Sequence, residues 1–416
     1  MDNKFEYVEN NKKERVILVA VCLDEVEDTE ESLDELAELA ATAGAEVVGR
    51  CIQNREAIHN ATYVGSGKIQ EIKEMLWETG ADGIICDDEL SPAQLRNLEQ
   101  ELECKIMDRT LIILDIFAGR ARTKEGKIQV ELAQLRYRAT RLVGLGSSLS
   151  RLGGGIGTRG PGEKKLEMDR RLIRDRIGHL SRELKQVVRH REVQRQKRMN
   201  DHVPIVCIAG YTNAGKSTLL NHYTEAGVLE EDQLFATLDP TTRCVTLPNG
   251  QEILLTDTVG FIRKLPHHLV NAFRSTLEEA KYSDLILHVV DASNPQKEKQ
   301  MDAVYETFKQ LEIGDKKIIT VFNKIDRAEQ EEYLTDPKAD EIIKISAKNG
   351  INTDDLLQLI EDMLMENQIY LEKIYPYDKA GTIQKIRKYG TILKEEYTDT
   401  GIYVEAYVPA EIIHTV

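Results

Sequence analysis

The chain has 416 residues and a formal net charge of −16, and a chain of this length ordinarily folds into about three domains. No run of about 18 or more apolar residues is present and residues 1–14 are polar and charged, so the sequence predicts neither a membrane span nor a signal peptide. The six cysteines are scattered without a C-x-x-C pair, which favours reduced core residues over disulfides or metal ligands. These features exclude the membrane-spanning and the disulfide-stabilised secreted classes of protein.

The first part of the chain alternates strand-like and helix-like patterns. Apolar runs predict strands at Val16–Val21, Val47–Ile52, Gly83–Cys86 and Leu111–Ile116. Between the first two runs, the spacing of apolar residues predicts one face of a helix, formed by Leu33, Leu36, Ala37 and Ala40. This alternation is typical of a largely parallel sheet, and we assign residues 1–117 to an N-terminal α/β domain.

Two short polar motifs in this domain each have two interpretations. Gly65-Ser66-Gly67-Lys68 opens a predicted helix and could meet a phosphate, but it lacks the spacing of a phosphate loop, which favours a simple N-terminal turn. Asp87-Asp88-Glu89 offers oxygens for a metal, yet its place just before Ser91-Pro92, a helix entry, favours a surface loop. The sequence does not reveal a ligand for this domain.

Basic residues are concentrated between Arg120 and Arg198, where 22 Lys and Arg stand against 8 Asp and Glu in an otherwise acidic chain. Apolar residues recur there at alternating spacings of four and three, which predicts an antiparallel helical hairpin at 118–200. The two seams are Ile128, Leu132, Leu135, Ala139 and Leu142, and Ile173, Ile177, Leu180, Leu184 and Val187.

The loop of this hairpin, 144–162, holds eight of the chain's 27 glycines, two arginines and no acid. Small residues let a backbone approach RNA closely and cations attract phosphates, so we interpret the loop as an RNA-contacting tip. The candidate contacts are Arg151, Gly153, Gly154, Gly155 and Arg159. The alternatives are a solvated helical surface and a disordered linker.

Residues 210–217 read Gly-Tyr-Thr-Asn-Ala-Gly-Lys-Ser and lie between an apolar run, Val203–Ala209, and the helix-forming stretch Thr218–Tyr223. A strand, then G-x-x-x-x-G-K-S, then a helix is the arrangement of a phosphate-binding loop, whose backbone N–H groups turn toward the phosphates. In this pattern Lys216 reaches the outer phosphates and Ser217 ligates Mg²⁺.

Three further motifs follow in order, each after an apolar run that predicts a strand. Asp257-Thr258-Val259-Gly260 places a carboxylate where it holds Mg²⁺ through water. Asn323-Lys324-Ile325-Asp326 offers a carboxylate that accepts both N–H groups of the guanine edge, a pairing that adenine does not provide. Ser346-Ala347-Lys348 is suited to place backbone N–H on the guanine oxygen. The four motifs together predict a Ras-like P-loop domain that binds GTP, which we assign to 201–368.

The position after the D-x-x-G motif is informative about mechanism. In Ras-type enzymes a glutamine there orients the attacking water, whereas this chain has Phe261, which cannot hydrogen-bond to water. We therefore expect slow intrinsic hydrolysis that a partner accelerates. Thr237 is our first choice for the switch I threonine that contacts Mg²⁺, with Thr241 and Thr242 left open, and Asn213 is either a K⁺ ligand or a residue suited to the turn.

After the predicted closing helix of this domain, Asp354–Met363, strand patterns return. Ile383–Lys385, Gly390–Glu395 and Gly401–Val408 predict strands, with a turn at Thr398–Gly401. We assign 369–416 to a small α+β, β-rich C-terminal domain, which we expect to pack on its neighbour because its core is small.

The motifs also carry a family resemblance. Phe235–Thr241, Asp257–Ile262 and the glycine-rich Gly157–Glu163, together with the early Tyr63–Lys68, resemble the HflX family of translation-associated GTPases, which are related to the Obg type. The resemblance covers almost the whole chain. It implies an α/β multidomain protein of the cytoplasm, at most peripheral to the membrane, that uses GTP, GDP and Mg²⁺, with K⁺ as a further candidate ion.

The resemblance implies catalytic roles for Lys216, Thr237 and Gly260, and Mg²⁺ ligation by Ser217, Thr237 and Asp257. Together with the motifs it places the nucleotide contacts at Gly210, Tyr211, Thr212, Asn213, Ala214, Gly215, Lys216, Ser217, Thr218, Asp257, Asn323, Lys324, Asp326, Ser346, Ala347 and Lys348.

The resemblance further implies a protein that binds the 50S ribosomal subunit and, in its GTP form, splits stalled or idle 70S ribosomes, with hydrolysis driving release. It implies that the basic hairpin contacts rRNA near the peptidyl transferase centre and that the C-terminal domain lies near the stalk base. We expect a monomer without a DNA partner. Two alternatives stay open: a GTPase of ribosomal-subunit assembly, and a non-catalytic GTP-dependent signalling switch that recruits a protein partner.

Overall fold

The computed structural model describes residues 13–23, 26–142, 161–200, 203–224, 234–235, 238–264, 279–328, 334–366, 368–409 and 413. The chain divides into two compact units, each assembled from several segments. Unit 1 consists of Met1–Gly119, Lys127–Arg182 and Lys264–Leu269, and unit 2 of Arg120–Gly126, Glu183–Arg263 and Val270–Val416. Within the described residues, no helix combines the length and the apolar character that crossing a bilayer requires.

Unit 1 is built on a four-stranded parallel sheet with the strand order β2-β1-β3-β4. Its elements are β1 (Arg15–Cys22), α1 (Val26–Thr42), β2 (Glu46–Asn54), α2 (Ser66–Thr79), β3 (Gly83–Cys86), α3 (Pro92–Leu102) and β4 (Lys105–Asp108). The strands of a parallel sheet are covered on both faces and are therefore apolar throughout, and β1 is buried from Val16 to Cys22. The first three predicted strands are confirmed, as is the helix that carries Leu33 and Leu36, both of which are fully buried.

The predicted strand at Leu111–Ile116 is wrong, because these residues belong to helix α4 (Arg109–Arg120). A short apolar run does not by itself distinguish a buried strand from a buried helix. The helix begins directly after β4, where the carboxylate of Asp108 accepts a hydrogen bond from the N–H of Leu111 at 2.9 Å. This contact is an N-terminal cap, which the sequence pattern did not reveal.

The surface loop predicted at Asp87-Asp88-Glu89 is only partly confirmed: Glu89 is exposed and Asp88 is half-buried, but Asp87 is not at the surface. Asp87 is 1% exposed and accepts hydrogen bonds from Arg109 Nη1 at 2.7 Å and from Ser32 Oγ at 2.8 Å. Lys264, in the same unit, pairs with Asp87 and also with Asp88 at 2.9 Å. Burial opposes ionisation of Asp87, but the neighbouring Arg109 and Lys264 cations prevail and lower its pKa. Asp87 and Asp88 are therefore held in ion pairs, and no group of three or more metal-ligating side chains is found among the described residues.

The two helix entries of unit 1 match the sequence interpretation. Gly65 caps the start of α2, and Lys68 in the first turn pairs with Glu71 at 2.7 Å, as expected of a simple N-terminal turn. Ser91 caps α3 with its hydroxyl and Pro92 occupies the first helical position.

The basic part of the chain forms two helices, α5 (Lys124–Leu142) and α6 (Pro161–Asn200). Within unit 1, Arg170 donates to the carbonyl of Leu142 at 2.6 Å and Arg176 pairs with Glu131 at 2.8 Å. The later residue of α6 thus contacts the earlier residue of α5, so the two helices run in opposite directions. This confirms the antiparallel hairpin. The predicted tip, with Arg151, Gly153, Gly154, Gly155 and Arg159, lies outside the described residues.

Unit 2 contains a six-stranded sheet with the order β10-β9-β8-β5-β7-β6, in which only β6 is antiparallel to its neighbour. The strands are β5 (Ile205–Gly210), β6 (Thr241–Thr246), β7 (Glu252–Asp257), β8 (Leu285–Asp291), β9 (Lys317–Asn323) and β10 (Glu341–Lys344), and the helices are α7 (Lys216–Tyr223), α8 (Lys297–Gln310) and α9 (Thr353–Met365). Because parallel strands end at the same edge, the motifs that follow β5, β7, β9 and β10 converge there.

The C-terminal part of unit 2 is a three-stranded antiparallel sheet, ordered β11-β13-β12, with one helix. Its elements are β11 (Gln368–Tyr375), α10 (Ala380–Tyr389), β12 (Thr391–Thr398) and β13 (Gly401–Pro409). The predicted strand at Ile383–Lys385 is wrong: Ile383 and Ile386 are one helical turn apart and both pack into the core of this sheet. The two later strands and the turn between them are confirmed, whereas β11 was missed.

Asp108 is fully buried, and its contacts lead to a prediction about the stability of unit 1. Its carboxylate accepts four hydrogen bonds, from Leu90 N at 3.1 Å, Leu111 N at 2.9 Å, Tyr137 Oη at 2.7 Å and Arg141 Nη2 at 2.7 Å. Asp108→Ala removes the partner of a nearly buried cation, which typically costs about 3–5 kcal/mol. We expect amide hydrogen exchange in β3 and β4 to accelerate by about two orders of magnitude or more.

The matched control is Asp34→Ala, which breaks the ion pair with Arg50 at 2.6 Å, where the two side chains are 67% and 43% exposed. An exposed pair contributes about 1 kcal/mol or less. Equal exchange rates in the two variants would show that Asp108 does not organise the unit.

Candidate functional site

The phosphate loop connects the end of β5 to the start of α7. Gly215 precedes the helix with a φ of 93°, and a Cβ at this position would lie 2.3 Å from Nδ2 of Asn323, so the site requires glycine. Asn213 has a φ of 60°, a left-handed conformation that asparagine tolerates well. The loop therefore has the geometry in which successive backbone N–H groups face one small volume.

Lys216, in the first turn of α7, is 6% exposed. Its Nζ donates a hydrogen bond to the carbonyl of Tyr211 at 2.6 Å, inside the loop. Burial lowers the pKa of Lys216 to about 8, an effect that Asp257 opposes and Lys324 reinforces. An anion in the loop would raise this pKa again and favour the charged form, so the lysine is placed to pair with a phosphate group.

Ser217 and Asp257 meet at the end of the neighbouring strand. The Ser217 hydroxyl donates to Asp257 Oδ2 at 2.8 Å, and Asp257 is fully buried. The antiparallel pairing of β6 with β7 places Thr241 directly opposite Asp257, whereas the Thr242 hydroxyl contacts that of Thr256 at 3.0 Å. A hydroxyl beside a buried carboxylate offers the hard oxygen ligands that Mg²⁺ prefers, so the residues present fit this ion.

The D-x-x-G segment packs directly against the phosphate loop. A Cβ on Gly260 would lie 2.8 Å from Thr212 Cγ2 and 3.0 Å from Lys216 Nζ. Gly260 thus leaves open the space next to the lysine ammonium group. Any larger residue would compete with a phosphate for that space.

Phe261 follows and is held by both backbone and side chain. Its N–H donates to the carbonyl of Gly210 at 3.1 Å, and its carbonyl accepts from the N–H of Thr212 at 2.8 Å. The side chain is 4% exposed, and its ring contacts that of Phe308 edge to face, with the centroids 5.8 Å apart. Phe261 is therefore a core residue of this region and offers no group that binds water.

Asn323, at the end of β9, connects two loops of the site. Its side-chain Nδ2 donates to the carbonyl of Ala214 at 2.9 Å, and its Oδ1 accepts from the N–H of Ala347 at 2.9 Å. One amide therefore ties the phosphate loop to the Ser346-Ala347-Lys348 loop. The phosphate end and the base end of a bound nucleotide are thereby set at a fixed separation.

Asp326 lies at the base end. Its Oδ1 accepts a hydrogen bond from Ser346 Oγ at 2.6 Å, which lowers the pKa of Asp326. The side chain is 24% exposed and ionised at neutral pH, and its Oδ2, which lies 4.0 Å from Arg327 Nε, retains lone pairs that can accept N–H donors of a base. Lys324 has a φ of 63° and pairs with Asp291 at 2.8 Å.

The structure thus brings the predicted nucleotide residues to one edge of the sheet. Thr218 lies in α7 behind the loop, and Lys348 is exposed beyond β10. Thr237 and the predicted RNA contacts fall outside the described residues. The sequence analysis missed Asp291, although it ends an apolar run at the same sheet edge, which was the available signal.

Three family models and several known proteins resemble this chain. Three family models match consecutive parts of the chain: "GTP-binding GTPase N-terminal" at residues 30–118, "GTP-binding GTPase Middle Region" at 120–198 and "50S ribosome-binding GTPase" at 205–324. Among solved structures, a GTP-binding protein of Sulfolobus solfataricus in complex with GDP is 25% identical, with a TM-score of 0.45, over 85% of this chain and 99% of that chain.

Curated relatives match over most of their length. GTPase HflX of Lacrimispora saccharolytica is 67% identical over 400 residues, which is 96% of this chain and 95% of the relative. GTPase HflX of Escherichia coli is 46% identical over 354 residues, which is 84% of this chain and 83% of the relative. The chain therefore belongs to the HflX family of GTP-binding GTPases.

Proposed function

We propose that this protein hydrolyses GTP slowly on its own, binds the 50S ribosomal subunit and, in its GTP form, splits 70S ribosomes, with hydrolysis driving its release. The observation that carries the proposal is the burial of Phe261 against Phe308, at the position where Ras-type enzymes orient water. A site with a phosphate loop, a metal edge and a guanine edge, but with a phenylalanine at the position that orients water in Ras-type enzymes, fits an enzyme that a partner completes.

The ribosome is the partner that the comparisons support. The matching family model is named for 50S ribosome binding, and the relatives are named GTPase HflX. The described part of α6 presents a row of exposed cations, suited to a polyanion: Arg171, Arg174, Arg182, Lys185 and Arg189. We assign the rRNA contact to this hairpin, including the tip arginines Arg151 and Arg159, and we expect a cytoplasmic monomer.

Charge stabilisation accounts for the chemistry of the site. The loop N–H groups and Lys216 bind the β- and γ-phosphates and stabilise the charge on the transferring phosphoryl group. Gly260 keeps the space beside Lys216 open for that group. Ser217, Asp257 and a switch I threonine, with Thr237 the first choice, would hold Mg²⁺, which supplies further positive charge at the phosphate oxygens.

Ribosomes are expected to accelerate hydrolysis by about 10²-fold or more, because completing an incomplete GTPase site has effects of at least this size. The measurement is phosphate release at saturating GTP with the protein alone, with 50S subunits and with 70S ribosomes. Lys216→Ala serves as the control for contaminating GTPases and should abolish all three rates. An equal rate with and without ribosomes would refute the role assigned to Phe261.

Asp326 is expected to determine base selection. Guanine offers two N–H donors to the carboxylate, whereas xanthine replaces one of them with a carbonyl, which an asparagine amide can pair. Asp326→Asn should weaken GTP binding by about 10²-fold or more and strengthen xanthosine triphosphate binding, since each charged hydrogen bond contributes about 1.5–3 kcal/mol. Calorimetric titration of both nucleotides measures this, with the exposed Asp315→Asn as the matched control. If Asp326→Asn kept the wild-type preference for GTP over xanthosine triphosphate, Asp326 would not be the residue that binds the base.

A further inference from the structure

Asp239 lies in the short segment that leads into β6, two residues before Thr241. Its Oδ2 accepts hydrogen bonds from two backbone N–H groups, that of Arg122 at 2.9 Å and that of Thr123 at 2.8 Å. Its Oδ1 accepts a third from the hydroxyl of Thr123. Residues 120–126 and 183–263 belong to unit 2, so this contact lies within one compact unit.

The partner of Asp239 is the start of the hairpin helix α5. Thr123 caps that helix, because its Oγ1 also accepts the N–H of Gly126 at 3.0 Å. A Cβ on Gly126 would lie 2.4 Å from Asp239 Oδ1, so the carboxylate fills the space that this glycine leaves. A negative charge at this end of a helix is favourable, and the three donors fix its position.

The same helix end is held by other ion pairs of unit 2. Lys124 pairs with Glu183 of α6 at 2.8 Å. Arg191, further along α6, pairs with Glu125 at 3.1 Å and with Glu279 at 2.6 Å. The base of the hairpin is therefore a connected polar cluster, and Asp239 joins it to the strand that borders the nucleotide site.

A continuous chain of contacts leads from this cluster to the metal edge. Asp239 is separated from Thr241 by Pro240 alone, and a proline restricts the backbone between them. Thr241 lies opposite Asp257 in the sheet, and Asp257 accepts the hydroxyl of Ser217. A displacement of the first turn of α5 would therefore move Thr241 relative to the residues that hold Mg²⁺.

We propose that Asp239 is a positioning residue that couples the first turn of the hairpin helix to the Mg²⁺ edge of the GTP site. The proposal rests on the proposed function only in taking GTP with Mg²⁺ as the ligand of that edge. Coupling between two sites is reciprocal, so Mg²⁺-nucleotide binding changes the clamp on α5, and loss of the clamp changes Mg²⁺-nucleotide affinity by the same factor. A ligand that binds to the hairpin would thereby alter the geometry of the site of hydrolysis.

The test is hydrogen exchange of the full-length protein at the amides of Arg122, Thr123 and Gly126, without nucleotide, with GDP in EDTA and with a Mg²⁺-bound non-hydrolysable GTP analogue. In the wild type we expect the Mg²⁺-bound analogue, but not GDP in EDTA, to change the exchange rate at these amides. The change should be about 5-fold or more, which is the lower end of the usual range of coupling between two sites. In the Asp239→Ala variant, hydrogen exchange at these amides should be fast even without nucleotide and should not change when the Mg²⁺ analogue binds.

Two further variants separate positioning from simple destabilisation. Gly126→Ala, which displaces the carboxylate without altering it, should change affinity for the Mg²⁺ analogue by about 10-fold, while affinity for GDP in EDTA stays within a factor of two or so. Asp340→Ala removes an acid of the same unit that accepts the Ile318 N–H at 2.7 Å, away from the site, and should leave both affinities unchanged.

Exchange that is indifferent to the Mg²⁺ analogue in the wild type, or equal losses of both nucleotides in Gly126→Ala, would overturn the coupling. Failure of the wild type to bind either nucleotide in the same titrations would instead refute the proposed function. The two failures are therefore distinguishable without any ribosome in the assay.

Discussion

The side-chain amide of Asn323 is the interaction on which the nucleotide site depends. It donates to Ala214 in the phosphate loop and accepts from Ala347 in the base-side loop, both at 2.9 Å, from the last residue of β9, which lies opposite Asp291 of β8. Both loops follow strands of the same parallel sheet, so the sheet sets their approximate distance and the amide fixes it. Preorganisation of this kind lets binding energy go into orienting the phosphates rather than into ordering the loops.

The charged side chains of the site are distributed unevenly around the two loops that Asn323 connects. Burial lowers the pKa of Lys216 to about 8, whereas Asp257 and Asp326 are placed to act as hydrogen-bond acceptors at opposite ends of the candidate site. This arrangement is the one that the proposed function requires for GTP with its metal ion. It does not extend to the attacking water, because Phe261 directs a ring into the core against Phe308. Binding and hydrolysis are thus specified by different parts of the molecule, which suits a GTPase controlled by a partner.

A feature could be predicted from the sequence when the residues that specify it lie close together in the chain. The phosphate loop and the Asn323–Asp326 motif were predictable, since each follows a buried strand and needs particular residues at fixed spacing. Leu111–Ile116 and Ile383–Lys385 were assigned to strands, because segments this short fit either period and only the packing of the helix face decides. Asp87 and Asp239 are polar residues whose partners are distant in sequence, so nothing local distinguishes them from solvated acids.

Sedimentation of 70S ribosomes with this protein in sucrose gradients tests the central claim most directly, comparing a non-hydrolysable GTP analogue with GDP. We predict separated subunits in the analogue gradient alone, with the protein on the 50S peak, because we propose that only the GTP-bound form binds the subunit productively. Intact 70S ribosomes without bound protein under both conditions would contradict it, and would direct attention to precursor subunits and protein partners.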